Sequence, residues 1–230
     1  MTKQDWRYFW GSMAVSIFVG ATVLTMIVLK NHLNRKKLSL KKLNTEVEKD
    51  LAFWKGINET TLKGAERISE YWKLINFNFT PAQIITQSHR QKWYWSAIYI
   101  SDLMNRWGSG DRFKFSSSHA NYIVDGKEAR SSKNRDSIFY SYNPSEIDIA
   151  VGDLIGKSRK SGVTLDTLSR TSPTHTDLVY KLEKNSTGYI AYAIGGNVSN
   201  TVKTTKYYLD KNKKIQSPEK YLVVMKNQKI

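Results

Sequence analysis

The sequence predicts an α+β domain carried behind a single membrane-spanning helix. Three observations lead there. A charge-free apolar run occupies residues 8–29. The segments after it, around 40–54, 61–77 and 96–107, repeat apolar residues at intervals of three and four, the period of a helix with one buried face. The last third instead holds short apolar strings broken by Gly, Pro and Asn, at 149–159, 172–182 and 188–202, which read as strands and turns.

The span is "YFWGSMAVSIFVGATVLTMIVL", 22 residues without a charge. At 1.5 Å per residue that is enough to cross a bilayer. Residues 1–7 form a short tail before it, and Tyr8, Phe9 and Trp10 suit a membrane interface. The run ends in "LKNHLNRKK" instead of a small-residue cleavage site, so an uncleaved anchor is expected. Gly11, Ser12, Ala14, Gly20 and Ala21 would let a partner protein's helix pack closely against it. Lys30, Arg35, Lys36, Lys37, Lys41 and Lys42 follow the span and only Lys3 and Arg7 precede it. That bias favours a cytoplasmic C-terminal side, against the periplasmic side that the functional expectation below requires.

Residues 30–58 read as a basic, then helical spacer, with Leu40, Leu43, Val47, Leu51 and Trp54 on one stripe. A second helix follows at 61–77 with Leu62, Ala65, Ile68 and Trp72, so the domain proper is taken as 59–230. The "SSKNRDS" stretch at 131–137 reads as an exposed loop.

The 230 residues hold 36 Lys and Arg against 20 Asp and Glu, a net charge of +16. An anionic partner is therefore expected: lipid head groups, nucleic acid or a wall polymer. The absence of cysteine excludes disulfides, thiolate metal sites and a cysteine nucleophile. No spacing of His, Asp and Glu suggests a metal, no Gly-rich phosphate loop is present, and no aromatic-basic ribbon suggests nucleic acid. No cofactor is expected.

The chemistry concentrates around "QKWYWSAIYISDLM", 91–104. Ile98, Tyr99, Leu103, Met104 and Trp107 continue at helical spacing until Gly108 and Gly110 stop the helix. Ser96 thus stands at a helix start, where free N–H groups and the positive dipole end favour an anion. It is either an N-cap or a nucleophile whose oxyanion the helix start would hold. His175 opens a strand after Pro173, and Asp177 shares its face two residues on. A histidine there can act as general base. Asn197 follows Gly195-Gly196 at the next strand's end, from where it could orient an imidazole.

That order, a nucleophile beginning the main helix, a "GDL" strand at 152–154, a histidine opening the next strand and a polar residue after it, resembles the papain-like cell-wall hydrolases of the NlpC and CHAP type. The blocks "WSAIYISDLMNRWG", "FSSSHANYI", "VGDLI", "HTDLVY" and "IGGNVSNTV" more closely resemble a bacterial family known as domain of unknown function 2272, over residues 62–224. The resemblance implies a papain-like domain with its central helix packed on a small antiparallel sheet. It implies hydrolysis of a peptidoglycan amide by Ser96, with His175 as base and Asn197 or Asp177 orienting it. Tyr94, His119 and Tyr122 fall beside these blocks and are expected to contact substrate, His119 from the loop after the main helix. The wall enzymes carry cysteine where this chain has serine, and a hydroxyl needs a better-placed base than a thiol does. A non-catalytic domain that binds wall or a partner protein at the bacterial inner membrane, of host or phage origin, is the rival expectation.

Overall fold

A computed structural model of the chain describes residues 37–90 and 94–230. The expected span at 8–29 lies outside the described residues. Among those described, no helix is long and apolar enough to cross a membrane.

Among the described residues, five helices precede or cover a six-stranded sheet. α1 (Leu40–Phe53) starts at Ser39, whose hydroxyl accepts from the Lys42 N–H. α2 (Leu62–Lys73) starts at Thr61, whose side chain accepts from the Gly64 N–H. α3 (Pro81–His89) starts in a capping box between Thr80 and Gln83, with Pro81 at its first position. Each cap satisfies an N–H that the first helical turn cannot use internally.

α4 (Ser96–Trp107) stops where the glycines predict. Gly108 adopts a φ of 106°, a conformation that costs other residues a steric penalty, and donates back to Met104 O at 3.1 Å. α5 (His119–Ser131) covers a segment that the sequence left as a loop. Its buried face carries His119, Ala120, Tyr122, Ile123, Gly126 and Ala129, mostly small or polar, so no apolar stripe betrays it. Gly126 explains that face: a Cβ there would lie 2.6 Å from Ser141 Oγ on the sheet, so only glycine permits this close approach.

The strands are β1 (Phe139–Tyr142), β2 (Leu154–Ser158), β3 (Thr174–Lys184), β4 (Tyr189–Gly195), β5 (Lys203–Leu209) and β6 (Val223–Asn227). Their order is β1-β6-β2-β3-β4-β5, and every pairing is antiparallel. Both faces of the sheet are covered. Leu154, Leu178, Ile194, Val223 and Met225 join the helices in the larger core. Their chain neighbours Ile155, Val179, Ala193 and Val224 turn to a second cluster with Ile149, Tyr207 and Ile215. Burial on both sides is why these strands read as continuous apolar strings without alternation.

The expected spacer helix is part of this body. Leu43 and Val47 of α1 are buried in the same core as α4, and the folded unit runs from Leu38 to Ile230. Polar contacts reinforce the docking. Arg106 of α4 reaches Glu46 and Asp50 of α1 at 2.7 and 2.6 Å, and Asp102 on its own helix at 2.7 Å. The Tyr99 hydroxyl donates to Asp50 Oδ2 at 3.0 Å.

Candidate functional site

Ser96 is the first helical residue of α4, and Trp95 is the N-cap. Trp95 is held from three directions. Its indole stacks on Trp54 at 5.2 Å, meets the Tyr99 ring edge-on, and donates through Nε1 to Glu59 Oε2 at 2.5 Å. It offers no side-chain cap to the helix. The first backbone N–H to find an intrahelical acceptor is that of Tyr99, which donates to Trp95 O at 3.0 Å. The N–H groups of Ser96, Ala97 and Ile98 therefore lie in the turn that has no internal partner.

The Ser96 hydroxyl does not cap the helix either. Its Oγ lies 2.7 Å from His119 Nε2. His119 is the first residue of α5, and α5 also begins without a side-chain cap. A hydroxyl at mid-α4 brings the two helix starts together. Ser101 Oγ donates to Ser116 O and accepts from Ser116 N–H, both at 2.9 Å, which pins the chain just ahead of α5 against α4.

On its other side, His119 Nδ1 lies 2.9 Å from Thr176 Oγ1 and contacts the Tyr122 hydroxyl, which is itself 2.9 Å from Thr176 Oγ1. All three partners are hydroxyls that can donate or accept, so the arrangement accommodates the tautomer in which Nδ1 donates toward Thr176 and Nε2 accepts from Ser96 as well as its opposite. Burial holds the His119 pKa well below the usual histidine range, and the electrostatic influence of the neighbouring His175 and Arg159 acts in the same direction. The ring is thus neutral at neutral pH, the form in which it can accept a proton. Burial likewise raises the Tyr122 hydroxyl well above its ordinary value, so it stays protonated.

His175 lies beside this group without touching Ser96. Its ring centroid is 5.1 Å from that of His119, at an interplanar angle of 62°. Nε2 sits 2.9 Å from Asp177 Oδ1, and Asp177 Oδ2 accepts from the Tyr207 hydroxyl at 2.5 Å. His175 Nδ1 is buried and has no hydrogen-bond partner among the described residues. The sequence expectation gave His175 the role of base; the ring in hydrogen-bond contact with Ser96 is that of His119. Asp177, one of two candidates for orienting His175, is the residue that contacts it. Asn197, the other, sits in the turn past β4 with a φ of 55° and is a partner of neither ring.

Gly195 and Gly196 make room for protein rather than for a ligand. A Cβ on Gly195 would come within 1.8 Å of Asp177 Oδ1, and one on Gly196 within 2.5 Å of Tyr99 Cβ. Gly152 has a φ of 93° and turns the chain into β2. Asp153 beside it is buried and structural. It accepts from the N–H groups of Ala150 and Asn227 and pairs with Lys226 at 3.2 Å.

The Ser96–His119 pair opens onto a cleft of about 330 Å³. Tyr94, more than half exposed, forms one wall, and Arg159, Pro173 and Thr174 form another. Ser117, Ser118, Thr171 and Ser172 add neutral hydroxyls. Sequence reasoning missed Thr176 and Arg159. Thr176 alternates with His175 and points to α5 instead of to Asp177, a fact visible only once α5 is known to pack there. Among the described residues no cluster of His, Asp and Glu could hold a metal ion.

Residues 58–228 match the family model described as "Uncharacterized protein conserved in bacteria (DUF2272)". The chain belongs to this family. Neither the curated proteins nor the solved structures include a match. The matched region begins after α1 and includes every residue of the cleft, so the Ser96–His119 pair belongs to the DUF2272 domain itself.

Proposed function

We propose that this DUF2272 chain is a membrane-tethered serine hydrolase that cleaves an amide bond in the peptide part of bacterial peptidoglycan, with a papain-like arrangement of helix and sheet. The observation that carries the reading is the 2.7 Å contact between Ser96 Oγ, at the uncapped start of α4, and the neutral ring of His119. In the reaction His119 Nε2 takes the hydroxyl proton as Ser96 Oγ attacks the carbonyl carbon. The oxyanion forms against the free N–H groups at the start of α4, where the helix dipole also favours it. His119 then returns the proton to the leaving amine as the carbon–nitrogen bond breaks. Water, deprotonated by the same ring, releases the acyl group from Ser96. Thr176 and Tyr122 hold the ring from its Nδ1 side and accept the Nδ1 proton of the tautomer this requires. His175 and Asp177 form a second, adjacent pair.

The resemblance to NlpC and CHAP enzymes supports the substrate class, and the net charge of +16 suits an anionic wall. The test is incubation of the full-length chain, in detergent micelles, with purified sacculi, followed by mass spectrometry of released fragments. Release by the parent and its loss in both Ser96→Ala and His119→Gln is the expected result. Equal release by all three would overturn the assignment. A reporter fused at the C-terminus, active only outside the cytoplasm, would report the side of the inner membrane that the reading needs.

One observation favours the rival, a non-catalytic binding domain: His119 Nδ1 faces two neutral hydroxyls and no carboxylate. Cosedimentation with sacculi without release, by parent and variants alike, would select it.

A further inference from the structure

We propose that Arg159 is the anchor for a free carboxylate on the substrate, so that the peptide accepted by this cleft is one carrying an acid group beside the bond presented to Ser96. The proposal rests on the hydrolase reading for what happens to the peptide, and on the cleft alone for what binds.

Arg159 follows directly on β2 and lines the same cleft as Ser96. Its backbone N–H donates to Pro173 O at 2.8 Å, which fixes its Cα on that wall. Its side chain is exposed, and the guanidinium carbon stands 5.7 Å from the ring centroid of Tyr94, the opposite wall. The charge is therefore supported by an aromatic face of the cleft.

Among the described residues Arg159 is the arginine that lines the cleft, and it has no ion pair there. Arg106 is surrounded by Glu46, Asp50 and Asp102, Arg130 meets Glu146, and Arg170 meets Asp125 and Glu128. Among the described residues no carboxylate lies within ion-pair distance of Arg159, and none lines the cleft. The lining is otherwise aromatic, hydroxyl and imidazole. A guanidinium presents a planar fork of donors that matches a carboxylate with two parallel hydrogen bonds, which a single hydroxyl oxygen cannot use. Its charge reaches the reacting group, since Arg159 is among the causes that keep His119 neutral. A bound carboxylate would offset that charge and raise the basicity of His119 as substrate arrives.

A guanidinium here could serve the oxyanion instead, and kinetics separate the two. A carboxylate anchor acts on ground state and transition state alike and appears in KM; an oxyanion donor appears in kcat for every substrate. The probes are soluble disaccharide-peptides cut from sacculi with a muramidase, used as prepared and after their carboxylates are converted to amides. Titration calorimetry of the full-length Ser96→Ala chain in micelles reads binding without turnover. The acid probe is expected to bind about 10-fold or more tightly than the amide, the scale of one charge-assisted pair. Arg159→Gln should abolish that preference and Arg159→Lys should keep part of it, with unchanged melting confirming that both variants fold.

Equal affinity for the two probes, no binding of either, or a preference that survives in Arg159→Gln would overturn the proposal. So would a fall in kcat for both probes with KM unchanged. The parent's action on sacculi is read separately. Release without acid preference removes Arg159 from recognition and leaves the hydrolase. Acid preference without release removes the hydrolase and leaves Arg159 as a binding residue.

Discussion

The contact between Ser96 and His119 has a measurable thermodynamic signature apart from any activity. Ser96 and His119 are 3% and 4% exposed, so water cannot replace a lost partner cheaply. Ser96→Ala removes one hydrogen bond, worth about 1 kcal/mol net, and leaves His119 Nε2 as a buried acceptor without a donor, a penalty of about 1–3 kcal/mol. Against this, alanine in place of serine at the first helical position gains roughly 0.5 kcal/mol of helix propensity. No cap is lost, because Trp95 and not Ser96 occupies the N-cap. The expected net destabilisation is about 1.5–3.5 kcal/mol, or a fall in Tm of roughly 3–14 °C for a domain of this size. A double-mutant cycle isolates the pair: Ser96→Ala, His119→Ala and the double variant, each unfolded in urea. The coupling energy should exceed about 0.5 kcal/mol, as it does for residues in direct contact. Additive effects would mean that the two side chains do not share a hydrogen bond in solution, and the proposed proton path would fall with it.

Other consequences follow from the supporting structure. Arg106→Met strips the counter-charge from Asp50, Glu46 and Asp102 between α1 and α4, and should cost about 3–5 kcal/mol in chemical denaturation; a loss below about 1 kcal/mol would show that the network contributes little to docking α1. Burial pushes the Asp153 carboxyl up to about 6 despite Lys226 nearby. The native state then keeps this proton to a higher pH than the unfolded chain, so the stabilising contribution is present in acid and is lost as pH rises through about 6. Relative to Asp153→Asn, the parent should lose about 3 kcal/mol between roughly pH 3.5 and 7, and a pH-independent difference would contradict the assignment. Gly196→Ala drives a methyl into the Cβ and Cγ atoms of Tyr99, which cannot swing away. It should cost about 1–3 kcal/mol and shift α4, so a variant with parental stability and parental sacculus release would show that this approach is not as tight as described.

Local pattern alone was enough for several elements. The apolar period placed the helix at Ser96–Trp107, and Gly108 ended it, because a left-handed φ at a helix end is a local requirement. The Gly-Asp turn into β2 and the strand opened by His175 were equally visible, as was the contact of His175 with Asp177, since residues two apart on a strand share a face. The helix over 40–53 was legible too, but its burial against α4 was not. Its lysines made it read as a spacer, and the contacts that dock it come from Arg106 and Tyr99, far along the chain.

The site itself was decided by tertiary structure. Ser96, His119 and Thr176 come from α4, α5 and β3, and their meeting depends on α5 lying flat on the sheet over Gly126. No periodicity announces a helix whose buried face is small and polar, so His119 was left in a loop and a partner for Ser96 was sought on the strand. What the sequence by itself determined is the inventory: a serine at a helix start, histidines without cysteine, a basic chain and helix signals followed by strand signals. Which histidine reaches the serine is a question of distance between elements far apart in sequence, and distance is fixed by packing.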